Sequence, residues 1–173
     1  MATIHPLVSQ LKFTRSEFKR ALRGLSEADA TKRLLPMNCI SWNVGHLAWQ
    51  EQRYFLFYGQ GLMLYPEVQQ AFAYGVPAST PMLEEALGYW AKVTKAANPW
   101  LENLTSEKLQ ECFVKKDGTQ GGTTYGSLLQ RVIYHYWYHT GENLAIRQML
   151  GHTHLPEFVG NIDERAPYIP ENK

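Results

Sequence analysis

The sequence predicts an all-α protein, a four-helix bundle with long crossover connections. Four long stretches carry apolar residues at helical spacing, and strand-like alternation is nearly absent. Two segments, residues 59–79 and 103–123, leave room for the crossovers. At 173 residues, with 45% hydrophobic side chains, the chain is long enough to bury one core, so we expect a single domain over residues 1–173.

The first helix is predicted over residues 5–23 and ends at Gly24, because glycine readily adopts the backbone conformation that follows a helix. A short helix is predicted over residues 26–34. Ser26 is placed to cap its first turn, and Pro36 is expected to end it.

The second long helix is predicted from Trp42 to Tyr58, with Ser41 as its N-cap and Gly59 at its end. Residues 61–78 are rich in Gly, Pro and Tyr and lack clear periodicity. They are expected to form a long connection with about one helical turn.

The third long helix is predicted to start at Thr80 and Pro81, because an N-cap followed by proline is a typical helix start. It is expected to run to Asn98, where Pro99 would end it or kink it, with an irregular continuation over residues 100–104 in the second case.

A short hairpin-like extended segment is predicted before the last long helix. Residues 111–114 look extended, and residues 116–119 (Lys-Asp-Gly-Thr) are typical of a hairpin turn.

The fourth helix is predicted to be capped by Thr123 or Thr124, to run to Leu150 and to stop at Gly151. The tail, residues 152–173, contains three prolines and is expected to lie on the surface as an extended coil.

Charge and composition argue against several classes of protein. Lys and Arg number 17 against 16 Asp and Glu, a net charge of +1, which does not favour binding to nucleic acid. No apolar run approaches the length of a membrane span, and the first residues lack a signal-peptide core, so no membrane partner is expected. Cys39 and Cys112 have no motif spacing, which favours a reducing, cytoplasmic location.

The most informative pattern is a pair of histidines, His135 and His139, within the fourth helix. Four residues advance a helix by slightly more than one turn, so both imidazoles project from one face. His46 lies in the second helix on a similar apolar stretch. Three imidazoles with an open fourth position suit a catalytic divalent metal, although hydrogen-bonded core histidines would give the same pattern.

Two charged residues share these faces. Glu142 lies one turn beyond His139, where it is predicted to accept a hydrogen bond from a ligand imidazole or the proton of a reactant. Arg53 lies two turns beyond His46 and is predicted to bind a carboxylate of a cofactor or substrate. The alternative for both is an internal ion pair or a solvated rim.

Four segments together resemble the DinB-like family of metal-binding four-helix bundles. They are residues 24–28 (GLSEA), 41–49 (SWNVGHLAW), 123–129 (TTYGSLL) and 135–142 (HYWYHTGE). The resemblance extends over about residues 5–150, and it depends on the order and spacing of the motifs.

The resemblance implies that His46, His135 and His139 are metal ligands, because histidine is present at all three matching positions. It also implies a divalent metal, zinc or nickel in many members, and a homodimer. Relatives include S-transferases that use low-molecular-weight thiols such as bacillithiol or mycothiol, and a mycothiol-dependent maleylpyruvate isomerase.

The leading functional prediction is therefore a metal-dependent transferase that activates a low-molecular-weight thiol for attack on a small-molecule substrate. A metal-dependent hydrolase, in which the same metal activates water, is the enzymatic alternative. The other alternative is a non-catalytic metal- or small-molecule-binding protein of a stress response.

Overall fold

The computed structural model describes residues 4–115, 117–157 and 159–170. These residues form eight α-helices, one π-helical segment and one two-stranded hairpin, which confirms the predicted all-α class. The helices and strands are α1 (Pro6–Ala21), α2 (Glu27–Thr31), α3 (Ile40–Glu51), the π-helical segment (Gln52–Tyr58), α4 (Pro66–Phe72), α5 (Leu83–Glu102), α6 (Ser106–Gln110), β1 (Cys112–Val114), β2 (Gln120–Thr124), α7 (Tyr125–Met149) and α8 (Ile162–Arg165).

The four long helices α1, α3, α5 and α7 form the bundle. Helix α3 packs against α5 and α7, and α1 packs against α7, so that their apolar faces share one hydrophobic core. Among the described residues, no helix is both long and apolar enough to cross a membrane.

A buried polar network ties the long helices together inside this core. The Arg15 guanidinium binds both carboxylate oxygens of Glu51, and its Nη1 donates to Asn98 Oδ1 at 2.7 Å. The Tyr136 hydroxyl donates to Glu51 Oε1 at 2.7 Å and accepts from Trp90 Nε1 at 2.6 Å. Each long helix contributes at least one partner, so the network fixes their relative positions.

The beginning of α3 differs from the prediction. Cys39, and not Ser41, is the N-cap residue, and its side chain makes no capping hydrogen bond. Ser41 lies inside the first turn, fully buried, with its Oγ 3.3 Å from Cys39 Sγ. Burial of this first turn stabilises the helix start without a side-chain cap.

The end of this long helix also differs from the prediction. From Gln52 to Tyr58 the backbone is π-helical, and helical structure continues past Gly59. Gly61, with φ of +73°, follows it in the left-handed conformation that glycine tolerates.

Residues 61–78 contain a full helix, α4, where about one turn was predicted. Two contacts hold it to α3 and the π-helical segment. The Gln52 side-chain amide makes hydrogen bonds to the backbone oxygen and nitrogen of Tyr65, at 2.8 and 2.9 Å. Trp49 Nε1 donates to Gln69 Oε1 at 2.7 Å. The start and the middle of α4 are thereby held to the π-helical segment and to α3.

Helix α5 begins at Leu83, so the predicted start at Thr80 and Pro81 is wrong. A carboxylate from another helix supplies the cap, because the backbone N–H of Leu83 donates to Glu27 Oε1 at 2.5 Å. The helix also continues through Pro99 to Glu102.

Strands β1 and β2 form the predicted antiparallel hairpin, with Cys112 opposite Thr124 and Val114 opposite Gln120. Lys116, in the predicted turn, lies outside the described residues.

Helix α7 starts as predicted, with Thr124 Oγ1 accepting from the backbone N–H of Ser127 at 3.2 Å. Gly151, with φ of +84°, follows its end. The tail is not entirely extended, because Ile162–Arg165 form the short helix α8. Residues 158 and 171–173 of the predicted tail lie outside the described residues.

Candidate metal centre

The three histidines named from the sequence lie together in the bundle. One ring nitrogen from each of His46, His135 and His139 lies within 4.8 Å of the other two. His135 Nε2 and His139 Nε2 are 2.9 Å apart. Zinc–nitrogen bonds of about 2.0–2.1 Å at a tetrahedral angle would place two nitrogens about 3.3 Å apart, so the cluster is close to the spacing of a metal site.

His46 is fixed on both ring faces and at one ring nitrogen. Its imidazole stacks between Trp42 and Trp49, with centroid distances of 4.7 and 5.0 Å. Its Nδ1 lies 2.7 Å from the carbonyl oxygen of Phe72, the last residue of α4. Because a carbonyl only accepts, Nδ1 carries the proton, and the lone pair of Nε2 is free for a metal.

His139 is oriented by a carboxylate. Its Nδ1 lies 2.7 Å from Glu142 Oε2, which also accepts from Asn43 Nδ2 at 2.9 Å. Asn43 in turn donates to Asn143 Oδ1 at 2.8 Å. The carboxylate therefore holds the proton of His139 on Nδ1 and leaves Nε2 facing the other two imidazoles.

His135 differs from the other two histidines because its Nδ1 is buried and has no hydrogen-bond partner among the described residues. Without a metal, the short contact between the two Nε2 atoms needs a proton on one of them. A metal would take both lone pairs and leave the proton of His135 on Nδ1. The arrangement of donor atoms therefore fits a divalent cation.

Burial keeps two of these imidazoles neutral. Burial lowers the pKa of His46 to about 4, and the nearby His139 lowers this pKa further. Burial, together with His139 and His46, lowers the pKa of His135 to about 3. Both imidazoles are therefore neutral at neutral pH, each with one nitrogen lone pair available, and this is the state that binds metal.

Arg53 lies in an aromatic cluster next to this centre. Its guanidinium is 5.4 Å from the Trp49 ring centroid and 5.5 Å from that of Tyr58, and its Nε donates to the Tyr58 hydroxyl at 3.1 Å. Trp49 separates it from His46 by one stacked ring. The structure thus places Arg53 near the histidines but not among them.

An open cavity of about 550 Å³ lies beside His135. Gln50, one turn beyond His46 on α3, and Arg131, one turn before His135 on α7, both line it. Arg53 is not part of this lining.

The other histidines near the end of α7 do not join the centre. His152 Nδ1 accepts from Arg147 Nε at 3.0 Å, and its Nε2 lies 3.3 Å from Asp29 Oδ2. Within the described ranges, the group that includes His46 has three members, so it lacks the fourth protein ligand that closes a structural zinc site.

Two groups that help to orient the histidines were not predicted from the sequence. The Phe72 carbonyl is a backbone group, which residue identity cannot reveal. The sequence indicated a role for Asn43 only weakly. Asn43 lies three residues before His46 and therefore on a neighbouring part of the same helix face.

Comparison with known proteins agrees with this geometry. No curated protein matches the chain. A family model described as the DinB superfamily matches residues 10–142, a range that begins in α1 and ends at Glu142 and includes all three clustered histidines. This match covers most of the sequence, and on that ground the chain belongs to the DinB superfamily.

Proposed function

We propose that this protein is a metal-dependent enzyme that joins a low-molecular-weight thiol to a small electrophilic substrate: the thiol loses its proton, its sulfur forms the new bond, and a leaving group departs from the substrate. His46, His135 and His139 would hold the metal. The observation that carries the proposal is the convergence of three imidazole nitrogens within 4.8 Å, two of whose rings are anchored by hydrogen bonds at the opposite nitrogen. Such anchoring is typical of metal-ligating histidines.

The choice of metal in this proposal rests mainly on the family resemblance. Three imidazoles are compatible with several divalent metals, and the family resemblance favours zinc and nickel among them. A divalent cation held by these histidines would lower the pKa of a bound thiol or water and so would supply a nucleophile at neutral pH. The absence of a fourth ligand from the described part of the chain leaves a position for that reactant.

Glu142 is proposed to act mainly as a positioning residue. Its Oε2 is already shared by His139 and Asn43, so that oxygen is not free to take a proton from a reactant. Its main effect would be to keep the proton of His139 on Nδ1, so that Nε2 is free to bind the metal. The preference for thiol transfer over hydrolysis rests on the family resemblance.

The first experiment is elemental analysis of the untagged protein beside the double variant His135→Ala/His139→Ala. About one divalent metal per chain is expected in the wild type and much less in the double variant. His154→Ala, which changes an exposed histidine outside the cluster, is the matched control and should retain the metal. Full metal content in the double variant His135→Ala/His139→Ala would refute the site assignment.

The second experiment tests turnover. Metal-loaded protein is incubated with a thiol such as 2-mercaptoethanol and an aryl halide, and loss of the thiol is followed against the double variant. Catalysis that needs the histidines supports the transferase. Ester hydrolysis without thiol consumption would favour the hydrolase, and bound metal with neither activity would favour a non-catalytic binding protein.

A homodimer is a separate proposal, which rests on the family resemblance. Light scattering of the purified protein over a range of concentrations tests it. A mass corresponding to one chain of 19.9 kDa at all concentrations would contradict it.

A further inference from the structure

The cavity beside His135 has features of a binding site for an anion. It lies between α3 and α7 and has a volume of about 550 Å³. Arg131 is the only charged residue among those that line it, and none of its described lining residues is acidic. A site with one cation and no carboxylate favours a negatively charged ligand.

Arg131 is available for such a ligand. It is exposed on α7, one turn before His135, and within the described ranges no carboxylate forms an ion pair with it. A planar guanidinium of this kind binds carboxylates through paired hydrogen bonds. The other arginine near the centre, Arg53, is instead packed among aromatic rings and bonded to Tyr58.

A second and independent observation points to a ligand in the same cavity. Gln50 is only 7% exposed, and its buried Oε1 has no hydrogen-bond partner in the described structure. His135 Nδ1 is buried and unpaired as well. Burying an unpaired polar atom costs on the order of 1–3 kcal/mol, so two such atoms on residues that line one cavity point to a partner that the described residues do not supply.

We infer that this cavity binds a small carboxylate-bearing molecule, with its carboxylate on Arg131 and its other end at the three-histidine centre. Gln50 lines the cavity, and its unpaired acceptor would serve the part of the molecule in between once the side chain turns toward it. The inference rests on the proposed metal centre and names the chemical class of its ligand. It does not depend on whether that ligand is a thiol.

The test uses Co²⁺-loaded protein and matched hydroxamates, because a hydroxamate binds an accessible metal whatever reaction the enzyme performs. Succinic and glutaric monohydroxamates carry a carboxylate, whereas butyrohydroxamate and its one-carbon-longer homologue have a methyl group in its place. Binding is followed by the change in the cobalt absorption spectrum. The carboxylate compound of at least one length should bind about tenfold more tightly than its methyl analogue, as one exposed charge-assisted pair would provide.

Arg131→Gln should remove this preference and leave the affinity for the methyl compounds unchanged. Lys95→Gln, which removes one positive charge from the exposed surface of α5, is the matched control and should keep the preference for the carboxylate compounds. Circular dichroism and cobalt content establish that each variant is folded and loaded.

The remaining outcomes overturn the inference in distinguishable ways. Equal binding of both compound types by the wild type, or a preference that persists in Arg131→Gln, rejects the anion site while the metal centre stands. Cobalt uptake with no response to any hydroxamate rejects the cavity as a route to the metal. Protein that takes up no cobalt rejects the metal centre, and this inference with it.

Discussion

The Phe72 ring occupies the space that a side chain on Gly45 would need. A Cβ placed on Gly45 would come within 2.4 Å of the ring, well inside van der Waals contact. The carbonyl of the same Phe72 accepts the hydrogen bond from His46, the next residue along α3. A glycine in the middle of a buried helix thus allows α4 to approach and orient a ligand of the proposed metal centre.

Gly45→Ala should therefore weaken metal binding although residue 45 is not a ligand. The added methyl group would displace Phe72 and its carbonyl, so His46 would lose its anchor. We expect a loss of metal affinity of about tenfold or more, similar to other losses of a ligand's hydrogen-bond partner. Competition with a chromophoric chelator measures it.

Gly141→Ala is the control for that experiment. A Cβ on Gly141 would contact nothing within 4 Å, and the residue lies in α7 between His139 and Glu142. Alanine there should leave metal affinity unchanged and stabilise the helix by about 0.5–1 kcal/mol. If both alanine variants bound metal like the wild type, the role assigned to Phe72 would be wrong.

Glu142→Gln tests the carboxylate that orients His139. Glutamine keeps the shape of the side chain but removes the charge that favours a proton on His139 Nδ1. We expect metal affinity to fall by about 10- to 100-fold, with turnover per bound metal much less affected. Loss of turnover at full metal occupancy would instead make Glu142 a catalytic acid or base.

The stability of the metal-free protein should decrease as the pH falls below about 6.5, the ordinary histidine pKa. The pKa of His46 is lowered to about 4 and that of His135 to about 3, so in this range the unfolded chain takes up protons that the folded chain does not. Each histidine should lower the free energy of unfolding by about 1–2 kcal/mol between pH 7.5 and 5. Urea denaturation over this range measures it.

The His135→Gln variant checks the origin of that pH dependence. Because glutamine does not titrate, the slope of unfolding free energy against pH should become shallower by the contribution of one histidine. An unchanged slope between pH 6.5 and 5 would show that other groups are responsible. Carboxylates dominate below this range, so the comparison is confined to it.

The buried network around Glu51 should contribute stability and not metal binding. Glu51→Gln leaves the guanidinium of Arg15 buried without its counter-charge, and a loss of about 3–5 kcal/mol in unfolding free energy is expected. Tyr136→Phe removes one hydroxyl that links Glu51 and Trp90 and should cost about 1–3 kcal/mol. Denaturant titration measures both losses, and metal content per folded chain should stay near that of the wild type.

Local sequence determined the helices and the faces on which the histidines lie. Helical periodicity placed His135 and His139 one turn apart, and the caps at Ser26 and Thr124 lie where they were predicted, because both depend on residues a few positions away. The predicted starts of α3 and α5 were wrong because what stabilises these two helix starts depends on residues that are distant in the sequence. At α3 burial replaces the cap, and at α5 the capping carboxylate comes from Glu27, which is 56 residues away from Leu83.

Local patterns along the chain were thus enough to predict the all-α class, the four long helices and the residue types available to a metal. The packing of the helices brings His46 to His135 and His139 and places a carbonyl of α4 where it orients His46. The same packing makes Arg131, and not Arg53, part of the lining of the cavity beside them. Periodicity is a property of neighbouring residues along one helix. Whether side chains from different helices converge depends on how the helices pack. That packing results from many weak contacts across the whole core.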